Sequence, residues 1–207
     1  QRQMCIRDSF YVTPVDPAQP AEHQNAYLRA HNTYAQIATI IHEAYPGHHV
    51  QSLHLKRCPS IVRRVFAAGT FVEGWAHYCE QMVLDEGFGG EDAKLRLFQL
   101  YEALWRIGRL IAATRMHLGE LSLSEAIDFL VRECYQEPEN ARREAWRYTR
   151  DPLVLVYSWG KWQIQALREE YRRARGDGFS LKDFHDRVLG QGEPPVSALR
   201  SLILDSV

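Results

Sequence analysis

An excess of charge of either sign, a long apolar run and a paired set of cysteines are all missing from this sequence. Its 25 Lys and Arg residues against 26 Asp and Glu residues leave a net charge of −1. That balance offers no basic field for nucleic acid or for an anionic membrane surface. No apolar run approaches the roughly 20 residues that a bilayer span requires, and the N-terminus carries no signal-peptide pattern. The four cysteines (Cys5, Cys58, Cys79 and Cys134) show no CxxC spacing, which excludes a zinc ribbon and argues against a disulfide framework. Buried free thiols are expected instead. What remains is 207 residues, 45% hydrophobic and 25% charged, enough for one compact domain with a sizeable core.

The opening QRQMCIRDS is polar and unlike the rest of the chain. Its core, MCIRDS, resembles a translation of the transposase-end adapter used in sequencing libraries. Residues 1–9 are therefore set aside as an artefact or a disordered terminus. A single helical domain is expected over 10–207, as the C-terminal part of a longer protein. The compartment, cytoplasmic or exported, stays open, and so does the oligomeric state.

Residues 10–24, with three prolines, predict an extended segment and a loop. From Asn25 the apolar positions Tyr27, Leu28, Tyr34, Ile37, Ile40 and Ile41 follow a helical period into His42. Further helices are predicted over about 61–86, ending at EGFGG, and over about 91–118. Another follows an N-cap at Ser122 or Ser124, then come 139–149 and 153–174, with Asp151-Pro152 as a break. A short helix, a Gly/Pro turn and a last helix close the chain. The fold class is mainly α, with at most a short β element near the N-terminus.

Residues 42–49 read HEAYPGHH. Zinc hydrolases usually present HExxH, in which two imidazoles one helical turn apart take the metal and the glutamate takes a proton from water. Here the position four residues after His42 is Pro46, and the next histidines are His48 and His49. In a regular helix His48 would lie about 240° round from His42, and His49 about 10 Å further along the axis. Neither could then share with His42 a metal whose nitrogen ligands sit at about 2.0–2.1 Å. Pro46 breaks the helix, and Gly47, free to take a positive φ, can loop the chain so that His48 returns beside His42. On spacing alone, a metal site and a helix C-cap with solvated histidines are equally open.

The stretch FVEGWAHYCEQ shifts that balance. Glu73 sits on a separate predicted helix among apolar and aromatic residues, where an isolated carboxylate is costly to bury and a metal ligand is not. Zincins with a glutamate as third ligand take it from the next helix at a comparable separation. His77 follows Glu73 at i+4, so it can line the same cleft, with a supporting or structural role favoured over ligation. A di-iron bundle is disfavoured, because the Glu-x-x-His pairs of such sites are absent around Glu73.

At this point the sequence carries a resemblance. HEAYPGHHVQ, EGWAHYCEQ, RLIAATRMHLGELSLSEAIDFL, EAWRYTRDPLVLVYSWGKWQIQALRE and FHDRVLGQGEPPVSAL resemble, in order, consecutive blocks of the bacterial domain-of-unknown-function family 885. That family is itself similar to glutamate-type zincins of the oligopeptidase and carboxypeptidase kind. The resemblance implies a zincin-like (gluzincin-type) catalytic domain. The family's HExxPGH pattern falls on His42, Glu43, Pro46, Gly47 and His48, and EGWA supplies Glu73. His49 would then be a cleft residue. Asp151-Pro152-Leu153-Val154, in the loop before Tyr157, departs from the family's Pro-Gly-Gln.

The expectation is thus a zinc-dependent hydrolase, foremost a metallopeptidase acting on a peptide or small amide substrate. Zn²⁺ would be held by His42, His48 and Glu73, with Glu43 as general base. Tyr157, or second to it His117, would donate to the oxyanion, although Tyr157 reads equally as a core aromatic. His185 reads first as a structural histidine within reach of the cleft. Arg109 and Arg168 are candidates for a substrate carboxylate, with a solvated or ion-paired role the plainer reading. The alternatives are a non-catalytic zincin-like binding or structural domain, and a zinc hydrolase of a non-peptide amide or ester.

Overall fold

The computed structural model describes residues 12–204; the adapter-like residues 1–9 lie outside them. Among the described residues the chain is helical with no strand, in keeping with a mainly α fold that allowed at most a short β element. The helices are α1 (Ala21–Ala30), α2 (Thr33–Glu43), α3 (His48–Leu55), α4 (Ile61–Val65), α5 (Gly69–Asp85) and α6 (Ala93–His117). They continue as α7 (Leu123–Cys134), α8 (Pro138–Tyr148), α9 (Val156–Arg175), α10 (Leu181–Gly190) and α11 (Val196–Leu204). Short 3₁₀ turns occupy Pro152–Leu155 and Gly176–Gly178.

Local chemistry sets most of these boundaries. Asp92 caps α6 through the Lys94 and Leu95 amides, Ser180 caps α10, and Ser122 with Glu125 forms a reciprocal capping box on α7. The glycines after α5 stop it as expected, since Gly87, Gly89 and Gly90 all take positive φ. Two breaks differ from the sequence-based expectation. The helix predicted from Asn25 to His42 begins at Ala21 and is cut at Asn32, whose Oδ1 accepts from the Tyr34 and Ala35 amides and starts α2 anew. The helix predicted over 61–86 is cut after Val65. There the Ala68 amide donates to the Glu193 carbonyl, and the Arg63 carbonyl accepts from the Glu193 amide.

The residues form two compact units, each discontinuous in sequence. The first takes residues up to Ile41 together with Val83–Leu155. Its core is built by α6, α7, α8 and the Pro152–Leu155 turn around Ala112, Ala113, Ala126, Leu130, Ala141, Ala145 and Tyr148. The alanines let the helices approach closely. α6 is inverted along part of its length: it buries Gln99, Arg106 and Arg109 and exposes Leu97, Leu100 and Ile107. Arg106 pairs with Glu102 at 2.6 Å and Arg109 with Glu144 at 2.9 Å. The Asp151 that departs from the family pattern accepts from the Leu153 amide and pairs with Arg147, fixing the 3₁₀ turn.

The second unit takes His42–Met82 together with residues from Val156 onwards. α5 and α9 cross backbone to backbone at Gly74 and Gly160. A Cβ on Gly160 would stand 1.8 Å from the Thr70 carbonyl oxygen, and one on Gly74 would stand 2.5 Å from the Gly160 carbonyl carbon. Phe71, Trp75, Tyr78, Ile164, Tyr171, Phe184 and Leu199 fill the core around that crossing. Cys58 and Cys79 in this unit, and Cys134 in the first, are buried free thiols.

Candidate metal centre

α2 ends at Glu43, three residues before Pro46, and α3 begins at His48. Proline lacks the N–H that would continue the ladder, and it disfavours helical geometry at the residue before it. The Tyr45–Pro46 peptide is cis. Gly47 has φ −70 and ψ −131, so the chain turns without the positive φ anticipated for it. The Pro46 carbonyl accepts from Trp75 Nε1 at 3.0 Å and from Cys79 Sγ at 3.7 Å. α5 therefore anchors the loop that redirects the chain.

With the loop so held, His42 and His48 converge on Glu73. Glu73 Oε2 lies 3.5 Å from His42 Nε2 and 3.4 Å from His48 Nε2, and the two rings meet edge to face with centroids 4.9 Å apart. Oε2 is buried and accepts no hydrogen bond from either ring.

The tautomers follow from the partners behind the rings. His42 Nδ1 is 2.6 Å from Glu80 Oε1. An ionised carboxylate only accepts, so Nδ1 carries the proton and Nε2 presents a lone pair. His48 Nδ1 faces Gln51 Oε1 at 3.4 Å, which in the same way turns an Nε2 lone pair towards Glu73. Three acceptor atoms thus face one another in a buried space, an arrangement that calls for a cation. Ligands at about 2.0–2.1 Å in a tetrahedral shell stand about 3.3 Å apart, close to both distances from Oε2. The donor set, two imidazoles and a carboxylate, suits zinc.

Glu43 follows His42 at the end of α2; it is half-buried, with no hydrogen bond or ion pair among the described residues. Tyr157, at the start of α9, is buried and lays its ring over His42 at 6.3 Å. His49 packs against Tyr45, and His77 donates from Nδ1 to Glu80 Oε2 at 3.1 Å. Neither belongs to the group formed by His42, His48 and Glu73. His185 and Arg168 meet at the Tyr78 hydroxyl, at 2.9 and 3.2 Å. Burial, and then the Arg168 charge, push the His185 pKa down to about 4, so its neutral ring accepts from Tyr78 while Arg168 donates to it.

Two candidates receive other partners. His117 sits in the first unit, where its Nε2 donates to the Tyr148 carbonyl at 2.8 Å. Arg109, in the same unit, donates to Glu144 and stacks on Trp105. His117 thus ties a helix end and Arg109 is ion-paired, the plainer of the readings open to it. Sequence reasoning missed Glu80 and Gln51. Glu80 was findable as the residue seven after Glu73 and three after His77, on one face of α5; Gln51 offered only its place three residues after His48.

Comparison with known proteins shows the family. The family described as bacterial proteins of unknown function, DUF885, matches residues 7–203. The chain belongs to the DUF885 family. A candidate lipoprotein of unknown function from Shewanella oneidensis is 34% identical with a TM-score of 0.87, over 94% of this chain and 36% of that one. A second from Colwellia psychrerythraea is 31% identical with a TM-score of 0.81, over 86% of this chain and 32% of that one. This DUF885 chain thus spans about a third of the length of these solved relatives. A search of curated proteins returns no match.

Proposed function

We propose that the second unit is the metal-binding part of a zinc-dependent hydrolase of amide bonds, foremost a peptidase. One observation carries the reading: a buried carboxylate oxygen that accepts no hydrogen bond lies 3.4–3.5 Å from two imidazole nitrogens presenting lone pairs. His42, His48 and Glu73 would hold the ion. Bound there, zinc supplies Lewis acidity, lowering the pKa of water towards neutrality and polarising a carbonyl. Glu43, adjacent to His42 and without a competing partner, takes the proton of the attacking water and returns it to the leaving amine. Tyr157, beside His42, donates its hydroxyl to the developing oxyanion. Glu80 holds the His42 ring in the ligating tautomer, and His77 holds the other oxygen of Glu80.

A structural zinc site is the competing reading. Structural sites close with four protein ligands, whereas catalytic ones keep a position for water. The group found among the described residues has three members, and His77 is engaged by Glu80, which favours catalysis. Both relatives are described as candidate lipoproteins; carried over, that description favours the exported of the two compartments left open.

The test pairs metal analysis of the purified protein with a peptide-library digest. Glu43→Gln should keep one zinc per chain and lower turnover by about 10²–10⁴-fold, the size of a general-base contribution. Undiminished turnover would remove Glu43 from the mechanism.

A further inference from the structure

Positive charge and exposed apolar surface coincide at α4. Between Glu43 and Glu73 the sequence holds no Asp or Glu, yet it holds Lys56, Arg57, Arg63 and Arg64. The charge balance of the whole chain therefore hides a local positive field. Lys56, Arg57 and Arg64 are exposed and form no ion pair among the described residues. In the same stretch Ile61, Val62, Val65 and Phe66 are 69%, 59%, 66% and 73% exposed. At about 100° per residue, Ile61, Val62 and Val65 share one face of α4, and Phe66 continues it at the C-cap. Arg63 lies on the opposite face and fastens α4 to the second unit. Its Nη1 donates to Gln191 Oε1 at 2.9 Å, and its carbonyl accepts from the Glu193 amide at 3.0 Å. Gly192, at φ +81, permits the close approach: a Cβ there would stand 2.7 Å from the Arg63 carbonyl oxygen. The apolar face is thus held outward by fixed contacts, and a contiguous exposed patch of this kind marks an interaction surface.

The chemistry selects the partner. A nucleic-acid phosphate backbone would leave the four apolar side chains in water, and an uncharged apolar groove would leave the cations unused. An anionic lipid surface takes both, with apolar side chains below the headgroups and cations among the phosphates. We propose that α4 and the basic residues beside it form a membrane-docking edge, on which the second unit rests at the surface of a bilayer containing anionic lipid. Ile61, Val62, Val65 and Phe66 enter the headgroup boundary, while Lys56, Arg57 and Arg64 pair with lipid phosphates. No helix of the described residues is long and apolar enough to cross a membrane, and the docking contact is peripheral. Four partly inserted side chains and a few charges give weak, reversible and salt-sensitive binding. α4 stands in the chain between α3, which begins at His48, and α5, which carries Glu73, so the unit that docks is the one with the candidate metal centre. The docking itself is independent of the metal reading.

Co-sedimentation of the whole chain with vesicles tests this, phosphatidylcholine alone against equal parts phosphatidylcholine and phosphatidylglycerol. Binding should require the anionic lipid and weaken as salt rises through about 0.15 M. Ile61→Ser with Phe66→Ser should lower vesicle affinity by about tenfold or more. Lys56→Gln with Arg57→Gln should lower it by about fivefold for each charge removed. Both pairs alter exposed side chains, so urea midpoints should stay where they are. Leu97→Ser with Leu100→Ser, on the exposed side of α6, controls for general stickiness and should bind as wild type does. Wild type that fails to sediment, equal binding to phosphatidylcholine alone, or an equal loss in the Leu97 and Leu100 pair would overturn the proposal. So would self-association that Ile61→Ser with Phe66→Ser abolishes while no vesicle is bound, which would assign the face to a second copy of the chain.

Discussion

Replacing Gly160 with alanine tests whether the crossing of α5 and α9 exists to deliver Tyr157. The added Cβ would stand 1.8 Å from the Thr70 carbonyl oxygen and 2.8 Å from Gly74 Cα. Carbon–oxygen contacts settle near 3.3–3.6 Å, so the two backbones must part by roughly 1.5 Å. Overpacking of this kind costs about 1–3 kcal/mol, and the helix propensity gained by alanine offsets about 1 kcal/mol of it. The net loss of stability should therefore be modest, up to about 2 kcal/mol by urea unfolding. The functional effect should be larger and selective. His42 is tied to α5 through Glu80, and the loop before His48 through Trp75, so the ligand set stays with α5. Tyr157, three residues from Gly160 on α9, does not. Zinc affinity by chelator competition should stay within about threefold, whereas kcat on the best library peptide should fall by about 10²-fold, the usual effect of a 1 Å misplacement. Tyr157→Phe should cost a similar factor, and the double variant should lose little more than either single one. Loss of zinc with intact packing, or full additivity of the two substitutions, would refute this account.

Three further outcomes are expected from other features. In Glu80→Gln the amide must turn its NH₂ towards one of two Nδ1 donors, His42 or His77, so zinc affinity by chelator competition should weaken by about 10–100-fold. Leu97→Lys with Leu100→Lys alters side chains 68% and 55% exposed; stability should stay within about 0.5 kcal/mol while binding of a hydrophobic dye falls. His185 is neutral when folded, with its pKa lowered to about 4 from 6.5. The unfolded chain therefore binds the extra proton between those values. Stability is full above about pH 6.5 and falls towards pH 4 by on the order of 3 kcal/mol. Urea midpoints of His185→Gln should be flatter across that window.

Where a boundary depended on residues adjacent in sequence, it was legible before the fold was known. The Ser122 cap, the glycines that stop α5 and the break at Pro46 are of this kind. Asn32 carried a capping signal as well, but the apolar period on both sides of it masked the break. The interruption after Val65 had no such signal, because its backbone groups are satisfied by Glu193, more than a hundred residues away. The same distinction divides the site. His42, His48 and Glu73 announce themselves by type and spacing, whereas Glu80 and Gln51 matter only through the ring each one faces. Arg109 and His117 are the converse, residues with site-like chemistry whose partners, Glu144 and the Tyr148 carbonyl, come from the packing of α6 against α8.

HEAYPGHH is not by itself a metal site, because a helix broken at Pro46 has no reason to bring His48 back to His42. Releasing three to four residues from helical geometry leaves them free unless something else fixes them. α5 supplies what the broken helix lacks, and it does so from several of its faces. Glu73 offers the shared oxygen, Glu80 orients the His42 ring, and Trp75 takes the Pro46 carbonyl. Gly74, beside Glu73, lets α9 approach so that Tyr157 reaches His42. Within EGWAHYCE the glutamates serve the ligands, the tryptophan serves the loop and the glycine serves the neighbouring helix. The wide spacing of the histidines therefore requires this second segment: a chain with HEAYPGHH intact but with Trp75 and Glu80 replaced would keep His42, His48 and Glu73 and lose the geometry on which the proposed centre depends.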